Sequence, residues 1–190
     1  MISDMANIYL IRHGESADNA AGVLGGRRDS ELTEKGRLQA KETAYNISGR
    51  DYDFDIIYSS PLKRALETAR IIAGKLGIAD LRTDERLRES DFGILTGKPY
   101  SDIDRYASGI VNTANVRFFL QAEGAESFLE VFERCEDFLR EIEKEESGKD
   151  ILIVTHEGTG KMLRAIRSSL SWEKGLYIPD LRNGEIVRLD

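Results

Sequence analysis

The sequence predicts an α/β fold: a three-layer sandwich with a mostly parallel central sheet, helices on both faces and a small lid insertion. Three observations carry that expectation. Short apolar runs alternate with segments of helical period along most of the chain. One run, Ile151-Leu152-Ile153-Val154, is apolar at four consecutive positions, as a strand covered on both faces must be. Finally, only two histidines occur among the 190 residues, and each directly follows such a run. His13 follows Ile8-Tyr9-Leu10-Ile11-Arg12, and His156 follows residues 151–155. In open α/β sheets ligands bind beyond the carboxyl ends of the strands, where both imidazoles then lie.

Asn7–Arg12 reads as the first strand, broken by Gly14. Gly22, Gly25 and Gly26 with Arg27, Arg28 and Asp29 read as a loop. A helix follows over Glu34–Ser48, with Thr33 as N-cap and Gly49 as its stop. Residues 55–58 form a second strand. Ser60-Pro61 signals a helix start, serine as N-cap and proline at the first helical position. Leu62, Ala65, Leu66, Ala69, Ile72, Ala73 and Leu76 then recur at helical spacing. Leu81–Thr83 reads as a third strand. After Gly124, the series Phe128, Val131, Phe132, Cys135, Phe138, Leu139 and Ile142 marks an amphipathic helix whose acidic end, residues 141–146, reads as solvated. Residues 151–154 are the central strand, residues 159–169 a last helix, and residues 185–189 a closing strand. Between 94 and 123 the rhythm breaks around Gly97, Pro99, Gly109 and scattered aromatics. The expected organisation is therefore one domain, residues 1–190, with a lid insertion at about 94–123.

Composition excludes several classes of function. With 41% hydrophobic and 32% charged residues and a formal charge of −7, and a pI near 5.1, the chain lacks the basic surface that nucleic acids or anionic membranes require. No apolar run approaches the ~20 residues needed to span a bilayer. The residues before the first strand include Asp4 and lack a basic start, unlike a signal peptide. Cys135 is the sole cysteine, so no intrachain disulfide forms, and its helical spacing with Phe128, Phe132 and Leu139 makes it a small core residue. A cytoplasmic protein is expected.

An acidic protein can still bind an anion through a local cluster of cations. Arg64 falls in the first turn of the helix after Pro61, where the positive end of the helix dipole disfavours a cation unless an anion is bound there. Arg12 adds a planar guanidinium beside His13. Residue types alone leave two readings open: one anion site shared by both histidines and both arginines, or unrelated strand-end histidines and a surface arginine. Other motifs fail. Gly158-Thr159-Gly160-Lys161 lacks the glycine at 155 and the Ser or Thr at 162 of a Walker loop. A metal site of the histidines with Glu15, Glu89 or Glu157 is disfavoured because Arg12 would repel a cation.

The ordered motifs decide between the readings. Leu10-Ile11-Arg12-His13-Gly14-Glu15-Ser16 with Asn19, the stretch from Gly26 to Gly36 with Gln39-Ala40, Ser59-Ser60-Pro61-Leu62-Lys63-Arg64-Ala65 with Thr68-Ala69, Leu87-Arg88-Glu89 with Phe92-Gly93, and Val154-Thr155-His156 occur in that order. Together they resemble the signatures of the histidine phosphatase (phosphoglycerate mutase-like) superfamily and cover most of the chain outside the lid. The resemblance implies His13 as nucleophile, forming a phosphohistidine. It implies Arg12, Arg64 and His156 as holders of the phosphoryl oxygens, and Glu89 as the acid that protonates the leaving oxygen and later activates water. Asn19, Ser16 and Gly158 are expected to contact the substrate. No metal and no cofactor is implied, since guanidinium and imidazole supply the positive charge.

Two positions depart from the family pattern. Glu157 stands where glycine is common and is expected to point away from the pocket. Gly93-Ile94-Leu95-Thr96-Gly97 lacks the tryptophan and acid that usually follow the acid motif, so the lid residues Tyr100, Arg105, Tyr106, Arg117 and Phe118 carry no assigned role. The expected activity is metal-independent hydrolysis of small-molecule phosphate monoesters. The alternatives are a cofactor-dependent phosphoglycerate mutase, disfavoured because mutases of this type carry longer insertions and a C-terminal extension, and a non-catalytic phosphate-binding module.

Overall fold

The computed structural model describes residues 6–49, 52–113 and 116–189; Asp4, part of the expectation about the N-terminal residues, lies outside them. Five strands build the main sheet in the order β3 (Leu81–Thr83), β2 (Ile56–Ser59), β6 (Asp150–Thr155), β1 (Asn7–Arg12) and β7 (Ile186–Leu189). β1, β2, β3 and β6 run parallel, and β7 closes the edge antiparallel to β1. Helices α2 (Glu34–Ser48) and α3 (Lys63–Leu76) cover one face, packing Ala44, Ile47, Ala65, Ala69 and Ile72 against Ile11, Ile57, Leu152 and Val154. Helices α5 (Phe128–Glu145) and α6 (Glu157–Arg167) cover the other, packing Val131, Phe138, Met162 and Leu163 against Ile8, Leu10, Ile56, Ile151 and Ile153. Successive β6 residues thus feed opposite cores, which is why residues 151–154 are apolar throughout. The three-layer, mostly parallel fold expected from the sequence is the one observed.

Strand register places the functional ends. Arg12 pairs with Thr155 and Ser59 with Val154, and the ladder continues for one more bond on each side: His13 N donates to Thr155 O and Ser60 N to Val154 O, both at 3.0 Å. His13, His156 and Ser60 therefore leave the sheet side by side.

Several boundaries differ from expectation. α3 begins at Lys63, two residues after Pro61, with Leu62 at the N-cap and no side chain capping it. Ser60 is instead held in the extension of β2, where its Oγ accepts from Leu62 N at 3.3 Å in a local turn. α6 spans Glu157–Arg167 rather than residues 159–169, because His156 takes the extended N-cap conformation. The loop after His13 contains a short helix, α1 (Ala17–Ala21), and a further turn, α7 (Trp172–Gly175), packs on α6. Glu146 is not solvated: it is buried and accepts hydrogen bonds from Tyr58 Oη and Arg82.

The described residues between 94 and 123 have their own architecture. The segment's ends are tied by Ile94 N donating to Glu123 O at 2.8 Å. Between them α4 (Ile103–Tyr106) leads into an antiparallel hairpin of β4 (Ala107–Asn112) and β5 (Arg117–Ala122), separate from the main sheet. Leu95, Ile103 and Phe119 form a small third core with Leu24. Among the described residues no helix is long and apolar enough to cross a membrane.

Candidate active site

The two histidine rings meet edge to face beyond the sheet, with centroids 5.0 Å apart. His13 is buried, and its Nδ1 lies 2.6 Å from Gly14 O. A carbonyl only accepts, so the ring hydrogen sits on Nδ1 and Nε2 carries the lone pair. That lone pair accepts from Arg64 Nε at 3.1 Å. Burial first, then the charges of Arg64 and Arg12, hold the His13 pKa well below the ordinary imidazole value. The neutral ring, with Nε2 unprotonated, is the nucleophilic form. Gly14 is required by close packing: a Cβ there would stand 2.3 Å from Gly36 O of α2.

Arg64 occupies the first turn of α3 and is buried, contrary to a surface role. Its terminal nitrogens donate to Arg28 O and Gly26 O, each at 2.8 Å, so the 26–28 loop fixes the guanidinium plane. Arg12 donates through one terminal nitrogen to Leu181 O at 2.7 Å and to Glu157 Oε2 at 3.1 Å. Its Nε is buried without a hydrogen-bond partner, and so is His156 Nδ1. The other His156 nitrogen, Nε2, is 2.8 Å from Ser60 Oγ. Burial and the nearby Arg64 charge depress the His156 pKa as well. Orphaned buried polar groups are costly in a finished interior. Two of them beside a nucleophile and two guanidiniums describe a place for an oxyanion.

Glu89 is planted on the first turn of α6. Its Oε1 accepts from Ser90 N (3.0 Å) and Thr159 N (3.3 Å), and its Oε2 from Gly158 N (3.2 Å). These backbone donors hold the carboxyl group in place. Gly158 makes room for it, since a Cβ there would fall 2.8 Å from Glu89 Oε1. Ser16 and Asn19 cap α1 reciprocally: Asn19 N donates to Ser16 Oγ, and Ser16 N to Asn19 Oδ1. That leaves the Asn19 amide nitrogen as its donor toward a ligand.

One cavity is lined by Arg12, His13, Ser16, Asn19, Arg64, Glu89 and Gly158, so it gathers all but one of the residues singled out from the sequence. The exception is His156, whose ring meets that of the cavity-lining His13. Tyr100, Arg117 and Phe118 line the same cavity, whereas Arg105 and Tyr106 border a separate depression. Ser60 was legible only as a helix cap; its bond to His156 depends on pairing between β2 and β6, which no local pattern announces.

Glu157 does not point away. It lines the cavity, takes hydrogen bonds from Arg12 and from Leu181 N (3.2 Å), and stands 3.8 Å from the buried Lys161 ammonium. As the first residue of α6 beside the end of β1, its side chain falls onto Arg12. Burial pushes its pKa up to about 7 against the opposing pull of Arg12 and Lys161. Ionised Glu157 competes with a phosphoryl group for Arg12, and protonation removes the competition. Phosphate affinity should therefore weaken as pH rises through about 7, while Glu157→Gln should lack that component and bind several-fold tighter at pH 8. Calorimetry on both proteins checks this, because the ligand's own ionisation is common to both. Parallel pH profiles would exclude the competition.

A sequence model described as the histidine phosphatase superfamily (branch 1) matches residues 8–190. The chain is 36% identical over 178 residues to phosphoglycerate mutase-like protein 4 of Arabidopsis thaliana, covering 90% of this chain and 76% of that protein. It is 32% identical over 169 residues to a metal-independent phosphoserine phosphatase of the same plant, covering 86% and 68%. Among solved structures, a mycobacterial glucosyl-3-phosphoglycerate phosphatase in complex with VO3 superposes with a TM-score of 0.81 at 25% identity, over 96% of this chain and 90% of that one.

Proposed function

The chain belongs to the histidine phosphatase superfamily and is a phosphomonoesterase of that type; from that premise we propose that it hydrolyses small-molecule phosphate monoesters, without a metal, through a phosphohistidine on His13. The observation that carries this reading is the His13 ring, locked by Gly14 O with Nε2 unprotonated and facing Arg64. Phosphoryl oxygens take hydrogen bonds from Arg12 Nε, from the Arg64 guanidinium and from His156 Nδ1. For His156 to donate there, the Ser60 hydroxyl donates to Nε2 and the ring hydrogen sits on Nδ1. These donors are in place before reaction and stabilise the charge spread over the equatorial oxygens.

In the first step the Arg64 Nε hydrogen bond moves from His13 to the phosphoryl group, and the freed Nε2 lone pair forms a bond to phosphorus. The ester P–O bond breaks, and its electron pair leaves on the alcohol oxygen, which takes a proton from Glu89. In the second step water attacks the phosphohistidine and gives its proton to Glu89. The P–N bond breaks, and inorganic phosphate leaves with His13 neutral again.

The 94–123 insertion acts as a lid over this cavity and restricts it to small molecules, since Tyr100, Arg117 and Phe118 border the space outside the phosphoryl site. The acidic balance of the chain keeps nucleic acids and anionic membranes off its surface. The lone Cys135, buried with its thiol pKa pushed up to about 12, is suited to the reducing cytoplasm. Hydrolysis of a phosphate-ester panel in excess chelator tests the metal-free reading. Rates should be unchanged, and chelator-sensitive turnover would overturn it. A parallel assay primed with a bisphosphate separates hydrolysis from mutase activity: release of inorganic phosphate is expected, not isomerisation of the acceptor.

A further inference from the structure

Besides the phosphoryl-site residues, the cavity is lined by two edge-to-face aromatic pairs. Phe118 meets Phe128 with centroids 5.6 Å apart, and Phe92 meets Phe119 at 5.4 Å. Val116 completes the wall, and all five side chains line the cavity. Asp18, Glu89, Glu126 and Glu157 contribute four carboxyl groups to the lining, beside three cations among the described residues, and Glu89 and Glu157 belong with Arg12 and Arg64 to the phosphoryl site. Arg117 is committed elsewhere, donating to both oxygens of Asp104 at 2.6 and 3.2 Å and to Asn112 Oδ1 at 3.1 Å. Around the cavity, Arg27 and Arg134 pair with Glu126 at 3.1 and 2.9 Å, and Arg28 with Asp18 at 3.6 Å.

A second anionic group on the substrate would thus leave water for apolar walls, where every nearby cation is already paired with a carboxylate or held by the phosphoryl site. An apolar group gains there by burial and by ring-edge contacts. We propose that the natural leaving group is an uncharged, apolar alcohol seated between the two phenylalanine pairs, and that esters whose alcohol carries a carboxylate are poor substrates. The inference rests on the phosphatase reading above and narrows its substrate class.

The test compares kcat/KM for benzyl phosphate, methyl phosphate, 3-phosphoglycerate and phosphoserine at neutral pH. All four are alkyl esters, so all need protonation of the leaving oxygen. Benzyl phosphate should exceed both carboxylate esters by tenfold or more. Phe119→Leu should lower the ratio of benzyl to methyl phosphate turnover. Val116→Lys, which adds an uncommitted cation to the wall without emptying the core, should shift the ratio several-fold toward 3-phosphoglycerate. Equal or faster turnover of 3-phosphoglycerate or phosphoserine by the wild-type protein would overturn the inference while leaving the phosphatase reading intact. Failure to hydrolyse any ester, with no phosphate appearing on His13, would overturn both.

Discussion

Replacing His13 with alanine should abolish turnover, lowering kcat/KM for every phosphate ester on the order of 10⁵-fold or more, as removal of a covalent nucleophile does elsewhere. No neighbouring group can substitute. The Ser60 hydroxyl is bonded to His156, and Ser16 Oγ caps α1. His156 is oriented by Ser60 with only Nδ1 unpartnered, the atom assigned to a phosphoryl oxygen. Inorganic phosphate should still bind to His13→Ala, because Arg12, Arg64 and His156 keep their supports in Leu181, the 26–28 loop and Ser60. Calorimetry of phosphate binding together with stopped assays separates loss of the nucleophile from loss of the site. A mutant that retained turnover would remove the nucleophile assignment.

Glu89→Gln should produce the second-largest effect and a different signature. For alkyl esters the loss should reach about 10²- to 10⁴-fold, the usual scale of general acid–base catalysis. For an aryl ester with an acidic phenol, such as p-nitrophenyl phosphate, the first step needs no proton from the enzyme and should be much less affected. The second step still lacks its base, so phosphoenzyme should accumulate. The amide oxygen can keep the bonds from Ser90 N and Thr159 N and gives up only that from Gly158 N, so the fold should survive the exchange. Equal losses for alkyl and aryl esters in the phosphorylation step would place the proton donor elsewhere.

The parts of the site legible in the sequence are those that local chemistry fixes. His13 and His156 follow short apolar runs that read as buried strands, and parallel pairing of β1 with β6 then makes them neighbours. Arg64 was conspicuous as a cation at the unfavourable end of a helix. Glu89 and the roles of all four came from ordered motifs rather than from periodicity. What was not legible depends on contacts between distant segments. The Ser60–His156 bond joins residues 96 positions apart, and the Arg12–Glu157 pair residues 145 apart. Serine before proline reads locally as a helix cap, and only the sheet register reveals its use as a support for histidine. Glu157 was misjudged because its position as the first residue of α6 is visible only once His156 is known to be the cap. The short helices α1 and α7 and the β4–β5 hairpin escaped because elements of four to six residues carry too little periodicity to register. Two of them nevertheless shape the cavity, α1 through Asp18 and Asn19 and β5 through Arg117, Phe118 and Phe119.

The central claim is the covalent intermediate, and rapid chemical quench followed by peptide mass spectrometry addresses it most directly. Glu89→Gln mixed with p-nitrophenyl phosphate and quenched in base should carry one phosphoryl group on His13, stable in alkali and lost in acid. The same experiment on His13→Ala should show none. Turnover of substrate with no phosphorylated His13 at any quench time, or a phosphoryl group on another residue, would contradict the account.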